Sequence, residues 1–551
     1  MKKTVATVFG SKSSRIHMSI IGAIAITLSF FIVPPASAFE IDTGNDVKLR
    51  WDTNFKYSAA MRVKERSDSL VDANHVNNDD GDRNFNRSFI SNRFDIFSEV
   101  DVKYHDVGFH ASGAAWYDTI YNTTNSNDSP GTVNSYSVSP NEFTKDTRNL
   151  MGRYAELLDA FVFANGAVNE KAWNVRAGRH TLLWGESLLF PNNGISYGQA
   201  PLDFVKFLTV PGTQSKELFM PVTQVSGQIQ PIKNVTLMAF YQFEWRKSRI
   251  PPAGSYLSDL DILDKGGERL LIAPIPGPGF ASFYRGSDLE AKNSGQWGVG
   301  TRFRLEAVDT DFGLYYIRFN DKNPEVYLTP SAGPAPAPGG LSLGQYTLVY
   351  GEDVETIGAS FGTQVGPANV SGEFSMRRKM PLVSTPQVVL PGMSADNDKN
   401  PLYAVGKTLH AQLSSIYLLP PTMIWQGGTF LGEIAWNRLS SITKNPNAYD
   451  TTRQRDAYGL RFVLEPAYYQ VLPKVDLTVP IVLGYNPRGK SSSDAKFNGG
   501  ADQGGDVGVG LTVTHMVVWK YTLNYTNYFG HEESQTLKDR NFIAFSVSRT
   551  I

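Results

Sequence analysis

The sequence predicts an all-β chain folded as a transmembrane antiparallel β-barrel of about 18 strands, with long external loops and an internal constriction segment. Three observations predict it: sustained alternation of apolar and polar residues, an export signal ahead of the first alternating run, and connections that are short and long by turns. From Val47 to Val63 every odd residue but Thr53 is apolar, while Lys48, Arg50, Asp52, Asn54, Lys56, Ser58 and Arg62 hold even positions. A helix would scatter both classes around its axis, whereas a strand sends successive side chains to opposite faces. Seventeen residues in this pattern, at ~3.3 Å each, outrun most strands of soluble domains and suit a tilted strand that crosses a bilayer and projects beyond it.

Delivery is written at the N-terminus. Lys2, Lys3, Lys12 and Arg15 form a basic region, Met18 to Val33 a sixteen-residue apolar core, and Ala36, Ser37 and Ala38 a small-residue cleavage site. Residues 1–38 therefore read as a signal peptide and 39–551 as one exported barrel, destined for the outer membrane of a Gram-negative bacterium. The apolar core is short for an uncleaved spanning anchor. The signal carries four basic and no acidic residues, so the formal net charge of −1 becomes −5 for the exported chain, a balance that calls for no nucleic acid. Beyond Ala38 no apolar run approaches the ~18–20 residues of a membrane helix, and mean hydropathy is −0.25. These values exclude a helical bundle but not a barrel, whose strands average lipid-facing and lumen-facing residues. Aromatic content of 12% suits interfacial girdles. With no cysteine, stability must come from a continuous hydrogen-bonded sheet or a large core.

The alternating element recurs along the chain. Clear cases are Phe94 to Tyr104, Val107 to Tyr117, Val235 to Trp245, Trp297 to Leu305, Val475 to Leu483 and Tyr521 to Phe529. Weaker ones lie at 155–164, 172–183, 222–230, 312–319, 345–352, 354–362, 368–378, 407–418, 428–439, 457–465 and 506–516. Short turns (105–106, 231–234, 307–310) alternate with long segments at 65–88, 122–150, 185–221, 247–294, 320–344, 379–406, 440–455 and 486–505, as in outer-membrane barrels. Ile543, Phe545, Val547 and Ile551 read as a last strand for the barrel-assembly machinery, interrupted by Arg549 and ending on Ile where an aromatic is usual. A soluble propeller or β-helix is the alternative, but no blade-length repeat is present and a seventeen-residue strand is too long for a blade.

Few motifs point to chemistry. Gly358-Ala359-Ser360-Phe361-Gly362 matches G-x-S-x-G, yet it lies in an alternating strand with no helix pattern behind it, so the strained strand-to-helix turn such a nucleophile needs is not expected. Asn77, Asn78, Asp79, Asp80, Gly81 and Asp82 crowd oxygen ligands into a turn. EF-hand spacing fails there, with Val76 and Arg87 at the first and last ligand positions, which leaves calcium or a solvated Asx-turn cluster. No His/Cys cluster has zinc spacing, and no glycine run forms a phosphate loop. Inward-facing charges of both signs are expected at Arg50, Asp52, Lys56, Arg93, Asp95, Glu99, Asp101, Arg176, Glu244, Arg246, Arg302, Arg304, Glu373 and Arg377. Such a mixture suggests a lumen partly filled and held by salt bridges, or a solvated polar wall, rather than the single-sign ladder of an ion-selective pore.

Several segments together resemble the domain-of-unknown-function 1302 family: Asn78 to Phe85, Ala155 to Ala160, Gly178-Arg179 with Trp184-Gly185-Glu186-Ser187, Tyr241 to Trp245 with Pro251 to Tyr256, Ser371-Gly372-Glu373 through Pro381-Leu382, Pro473 to Pro480 and Tyr528-Phe529-Gly530. The resemblance covers nearly all of the exported chain. It implies an outer-membrane barrel that passes hydrophobic or lipid-like small molecules, without naming a solute and without catalytic residues or cofactors to carry over. The C-terminal departures bear on assembly more than on fold.

Within the resembling segments, Trp184 to Ser187 end a strand, and the stretch to 221 alternates poorly, is rich in proline and glycine, and carries apolar clusters such as Phe204, Val205, Phe207 and Leu208. A segment so apolar is expected to fold into the barrel as a plug or constriction at 185–221. The pore-lining or constriction residues expected are Arg176, Arg179, Trp184, Glu186, Asp203, Lys206, Glu244, Arg246, Arg302, Arg304, Glu373 and Arg377. Expected partners are outer-membrane lipid, the barrel-assembly machinery and a hydrophobic solute, with a periplasmic or inner-membrane transport partner left open. A lipid-acting hydrolase using a Ser/His pair, and a surface structural or adhesion barrel, are the alternatives to a channel without catalysis.

Overall fold

The computed structural model describes residues 39–42, 46–209, 215–277 and 279–551; the expected signal peptide lies outside them. One sheet of twenty segments closes on itself. One segment is the short Phe39–Asp42, added to the start of the first wall strand. Two others, Val475–Thr478 and Ile481–Arg488, are halves of one strand split at Pro480, which has no N–H to give the ladder. Eighteen antiparallel strands remain: Val47–Arg62, Phe89–Tyr104, Val107–Asp118, Arg153–Val168, Lys171–His180, Val222–Ile232, Val235–Gln242, Gln296–Leu305, Thr310–Phe319, Val354–Val365, Ala368–Pro381, Val405–Leu418, Gly427–Lys444, Asp456–Leu472, the split strand, Gly504–His515, Trp519–Phe529 and Phe542–Thr550. The last pairs back onto the first, with Thr550 opposite Asn54 and Phe542 opposite Arg62. The chain is thus a closed barrel of the outer-membrane type, with no open edge left in the wall.

Alternation works as the sequence predicts. Outward side chains such as Trp51, Phe94, Leu314, Ile357, Phe374, Leu413 and Ile434 form an exposed apolar belt. All connections at one end are short, two to four residues apart from 419–426, and those at the other end include 63–88, 119–152, 181–221, 243–295 and 320–353. The loop at 530–541 escapes the sequence reading.

One expected strand leaves the wall. Phe319 is followed directly in the ladder by Val354, and the alternating stretch at 345–352 belongs instead to Gly340–Val349. That strand joins Glu325–Ala337, Phe280–Arg285, Arg269–Pro274 and Gln387–Val388 in a separate five-stranded sheet. Its apolar face, Tyr346 and Leu348 with Phe283 of the neighbouring strand, packs with Trp245, Ile262 and Tyr350, so protein covers what lipid would otherwise cover. The C-terminal strand takes the vacated place in the count. Arg549, which breaks that strand's apolar series, stands between Phe55 and Trp519, its guanidinium 5.1 Å from the Trp519 ring centroid. A planar cation against an indole face is tolerated where a bare charge would not be.

Candidate functional site

The loop that follows His180 crosses the lumen with its residues 184–197. The inward direction is fixed by exposure: Phe374 is 49% exposed and its neighbour Glu373 7%, and Ile434 is 48% exposed beside a fully buried Glu433. Both carboxylates therefore point into the barrel, and both are taken up by loop backbone. Glu373 accepts from the amides of Glu186 (2.7 Å) and Ile195 (2.9 Å) and from Gln412 Nε2 (2.8 Å). Glu433 accepts from the amides of Leu188 (3.2 Å), Leu189 and Phe190 (3.0 Å). From the same wall, Arg377 Nη2 donates to the carbonyls of Asn192 and Gly194, each at 2.9 Å, and its guanidinium lies 4.7 Å from the Tyr197 ring centroid. Irregular backbone placed inside a barrel needs partners for its N–H and C=O groups. Here wall side chains supply them.

The other half of the loop's anchorage is apolar. Trp184 meets Phe240 edge-on (5.1 Å between centroids) and stacks on Tyr315 (5.8 Å). Ile195 and Tyr197 join Met238, Ile317 and Phe319 in the same cluster. These wall residues alternate with the exposed Leu237 and Leu314, so the barrel presents an apolar face to its own lumen at these strands. Glycine at 185 is demanded locally, because its φ is +90° and a Cβ there would meet the Glu373 carboxylate and Ile195.

The returning leg is held by ions. Asp203 pairs with Arg249 at 2.6 Å, and Lys206 with Glu156 at 3.4 Å and Glu217 at 3.8 Å. Arg249 also pairs with Glu156. Around the Trp116 ring gather Arg93 (4.5 Å), Lys206 (5.3 Å) and Arg249 (6.0 Å).

The sequence-predicted residues fall into separate places. Trp184, Glu186, Glu373 and Arg377 meet at the crossing, with Arg302 reaching Glu186 at 3.7 Å. Asp203 and Lys206 belong to the returning leg. Arg179, Glu244 and Arg246 form a group at the loop end of the wall, with Glu244 3.8 Å from Arg179 and 3.9 Å from Arg246. Arg304 stands at the opposite end, paired with Asp309 and, at 2.7 Å, Asp311. Arg176 lies 5.8 Å from the Phe161 ring centroid, apart from the crossing. Sequence reasoning passed over Glu433, Glu156 and Arg249. Glu433 was legible, since it alternates with Ile434 in the stretch at 428–439; Arg249 sits in a loop without periodicity.

Ser360 lies in the strand Val354–Val365, its Oγ 3.1 Å from Tyr315 Oη, with no strand-to-helix turn around it. A different serine meets a histidine. His180 Nδ1 faces the Gly178 carbonyl at 3.1 Å, which leaves Nε2 to accept from Ser226 Oγ at 2.8 Å.

A family model described as "Protein of unknown function (DUF1302)" matches residues 19–551. No curated protein matches the chain. Among solved structures it is similar to OccAB1 of Acinetobacter baumannii (10% identity, TM-score 0.43, 94% of this chain and 99% of that one). It is also similar to OpdK of Pseudomonas aeruginosa crystallised with vanillate (9%, 0.38, 91% and 98%), and to OccD3 (OpdP) of the same organism (10%, 0.39, 94% and 93%). Overlap at this level bears on neither cargo nor mechanism.

Proposed function

The chain belongs to the DUF1302 family of proteins of unknown function, and we propose that this member is an outer-membrane channel or transporter for hydrophobic or lipid-like small molecules, with the segment 185–221 as its constriction. The observation that carries the reading is the apolar lumen face of Met238, Phe240, Tyr315, Ile317 and Phe319, covered by Trp184, Ile195 and Tyr197. The loop's own side chains fill that wall face, so the apolar surface open to a solute is on the loop itself, where Leu183 and Leu188 remain exposed. A pore for hydrated ions or sugars gains nothing from apolar side chains in its path, whereas an amphipathic solute can exchange contacts along them. The loop is fastened by main-chain hydrogen bonds to Glu373 and Glu433, which favours a fixed constriction over a freely swinging lid.

Two measurements test the reading. Removal of residues 190–215 should raise single-channel conductance in a planar bilayer; unchanged conductance counts against the constriction. Cells with and without the gene should differ in uptake of a labelled sterol or fatty acid more than of a labelled aromatic acid, and equal uptake of all three would remove the hydrophobic cargo.

The hydrolase alternative rests on one contact, His180 to Ser226. Its third member is the Gly178 carbonyl rather than a carboxylate, and both side chains are buried in the wall. Ester hydrolysis by the purified protein that disappears in Ser226→Ala, but survives Ser360→Ala, would revive it.

A further inference from the structure

The aspartates singled out in the sequence at 77–82 are not solvated. Asp79 and Asp261 are fully buried and Asp80 is 5% exposed. One carboxylate oxygen from each of the three lies within 4.8 Å of the others. The residues come from different long loops: Asp79 and Asp80 from 63–88, and Asp261 from 243–295.

The hydrogen bonds account for one oxygen of each carboxylate and leave the second. Asp79 Oδ2 accepts from Arg83 Nε at 2.5 Å, Asp80 Oδ2 from the Asn134 amide at 2.9 Å, and Asp261 Oδ2 from the Asp80 amide at 3.1 Å. The Oδ1 atoms of Asp79, Asp80 and Asp261 find no donor among the described residues. Asn134, from the loop 119–152, adds another acceptor of the same kind. Its amide serves Asp80, its Nδ2 serves Asn77 and the Arg269 carbonyl, and its Oδ1 is buried without a donor. Among the described residues no ion pair reaches Asp80 or Asp261. The neighbouring guanidiniums are engaged elsewhere: Arg269 donates to the carbonyls of Val133, Asn134 and Gly339, and Arg540 to those of Tyr256 and Ser258. Beside Asp80 lies a cavity of about 20 Å³ lined in part by Asn84, Thr144 and Gly254, large enough for one water-sized species.

Three carboxylates held this close and out of water repel one another, and buried acceptors without donors cost free energy. A divalent cation removes both penalties at once. The donor set is all oxygen, three carboxylates with the side-chain carbonyl of the adjoining Asn134, which selects a hard ion. Calcium, which takes six to eight oxygen ligands in adaptable geometry, fits a site assembled from three loops better than magnesium, which demands a near-regular octahedron and holds its water. We propose that Asp79, Asp80 and Asp261, with Asn134 beside them, bind one calcium ion that staples three external loops together over the barrel mouth.

The test is titration of the purified full-length exported barrel in detergent, after chelation, with calcium chloride and in parallel with magnesium chloride, followed by calorimetry and by thermal melting in calcium against EDTA. Expected are one calcium per chain, weaker binding of magnesium, and a melting transition moved upward by calcium. Asp261→Asn keeps a hydrogen-bond acceptor but removes one charge, and should weaken calcium at least about tenfold while melting in EDTA no lower than the parent. A purely structural role for Asp261 would instead lower melting in both conditions. Should that variant not fold, as judged by loss of the heat-modifiable band on a gel, Asn134→Ala serves in its place and should also weaken calcium. Overturning results are the absence of calcium heat and of a melting shift in the parent protein, magnesium binding as tightly as calcium, or undiminished calcium binding in a folded variant.

Discussion

Glu433 receives the backbone amide of Phe190 at 3.0 Å, across 243 residues of chain, and the amides of Leu188 and Leu189 converge on the same carboxylate. One wall side chain thus fixes three successive residues of a loop that has no secondary structure there to satisfy them.

Glu433→Ala should release that stretch without opening the barrel, because the strand ladder on either side of residue 433 does not involve the side chain. Leaving buried donors without acceptors costs about 1–3 kcal/mol each, so the loop should detach in part and be re-solvated. The expected readout is larger current fluctuation in a planar bilayer at unchanged heat-modifiability. Glu433→Gln retains one carbonyl acceptor and should fall between.

Gly185→Ala attacks the same crossing from the loop side. The left-handed φ of +90° disfavours any side chain, and the new methyl would press on the Glu373 carboxylate and Ile195. Strain of about 1–3 kcal/mol is expected, with conductance moving in the direction of a Glu373→Ala variant. Conductance indistinguishable from the parent would show that the crossing does not narrow the path.

How far the sequence could reveal this follows from what sets each feature. Alternation is a local property, so the wall strands, their number and the inward direction of Glu373 and Arg377 were all legible. The stretch at 345–352 was misplaced because a strand whose apolar face is covered by Trp245 and Ile262 alternates just as a lipid-facing one does. The grouping of Glu156, Lys206 and Arg249 was illegible for a different reason: it depends on how two loops without periodicity return to the wall. Arg179 and Glu244 are expected from the sequence as pore-lining or constriction residues but not as a rim pair, since the pair joins the end of one strand to the start of a long loop and the periodicity of neither shows the other.

Trp184→Ala should cost about 3–5 kcal/mol of local packing, because it leaves a void against Phe240 and Tyr315. The barrel should still assemble, because Trp184 packs on the strands of Phe240 and Tyr315 and not on the closing pair Val47–Arg62 and Phe542–Thr550, and ion conductance should rise as water enters the vacated volume. Trp184→Phe should restore most of the parental conductance. Equal conductance in all three proteins would place the narrowest part of the path elsewhere.

The docking of Tyr197 should depend on pH through Lys322. This lysine lies in the loop 320–353, donates to the carbonyls of Tyr197 (3.1 Å) and Gly198 (3.2 Å), and sits 4.9 Å from the Phe319 ring centroid. Burial lowers its pKa to about 7, against the partial opposition of Asp321 and with a further downward push from Arg377. An unfolded lysine titrates at 10.5, so between about 7 and 10.5 the released chain binds more protons than the docked one. Stability of the docked loop therefore increases with pH across that window, is complete above about 10.5, and has been lost by the time pH has fallen to about 7, below which this group changes it no further. Hydrogen exchange of the amides at 195–199 should accordingly show stronger protection at pH 9 than at pH 6, once the intrinsic exchange rates are divided out. Lys322→Met, which keeps the apolar stem and cannot titrate, should flatten the dependence. A slope of the same size in that variant would assign the effect to another group.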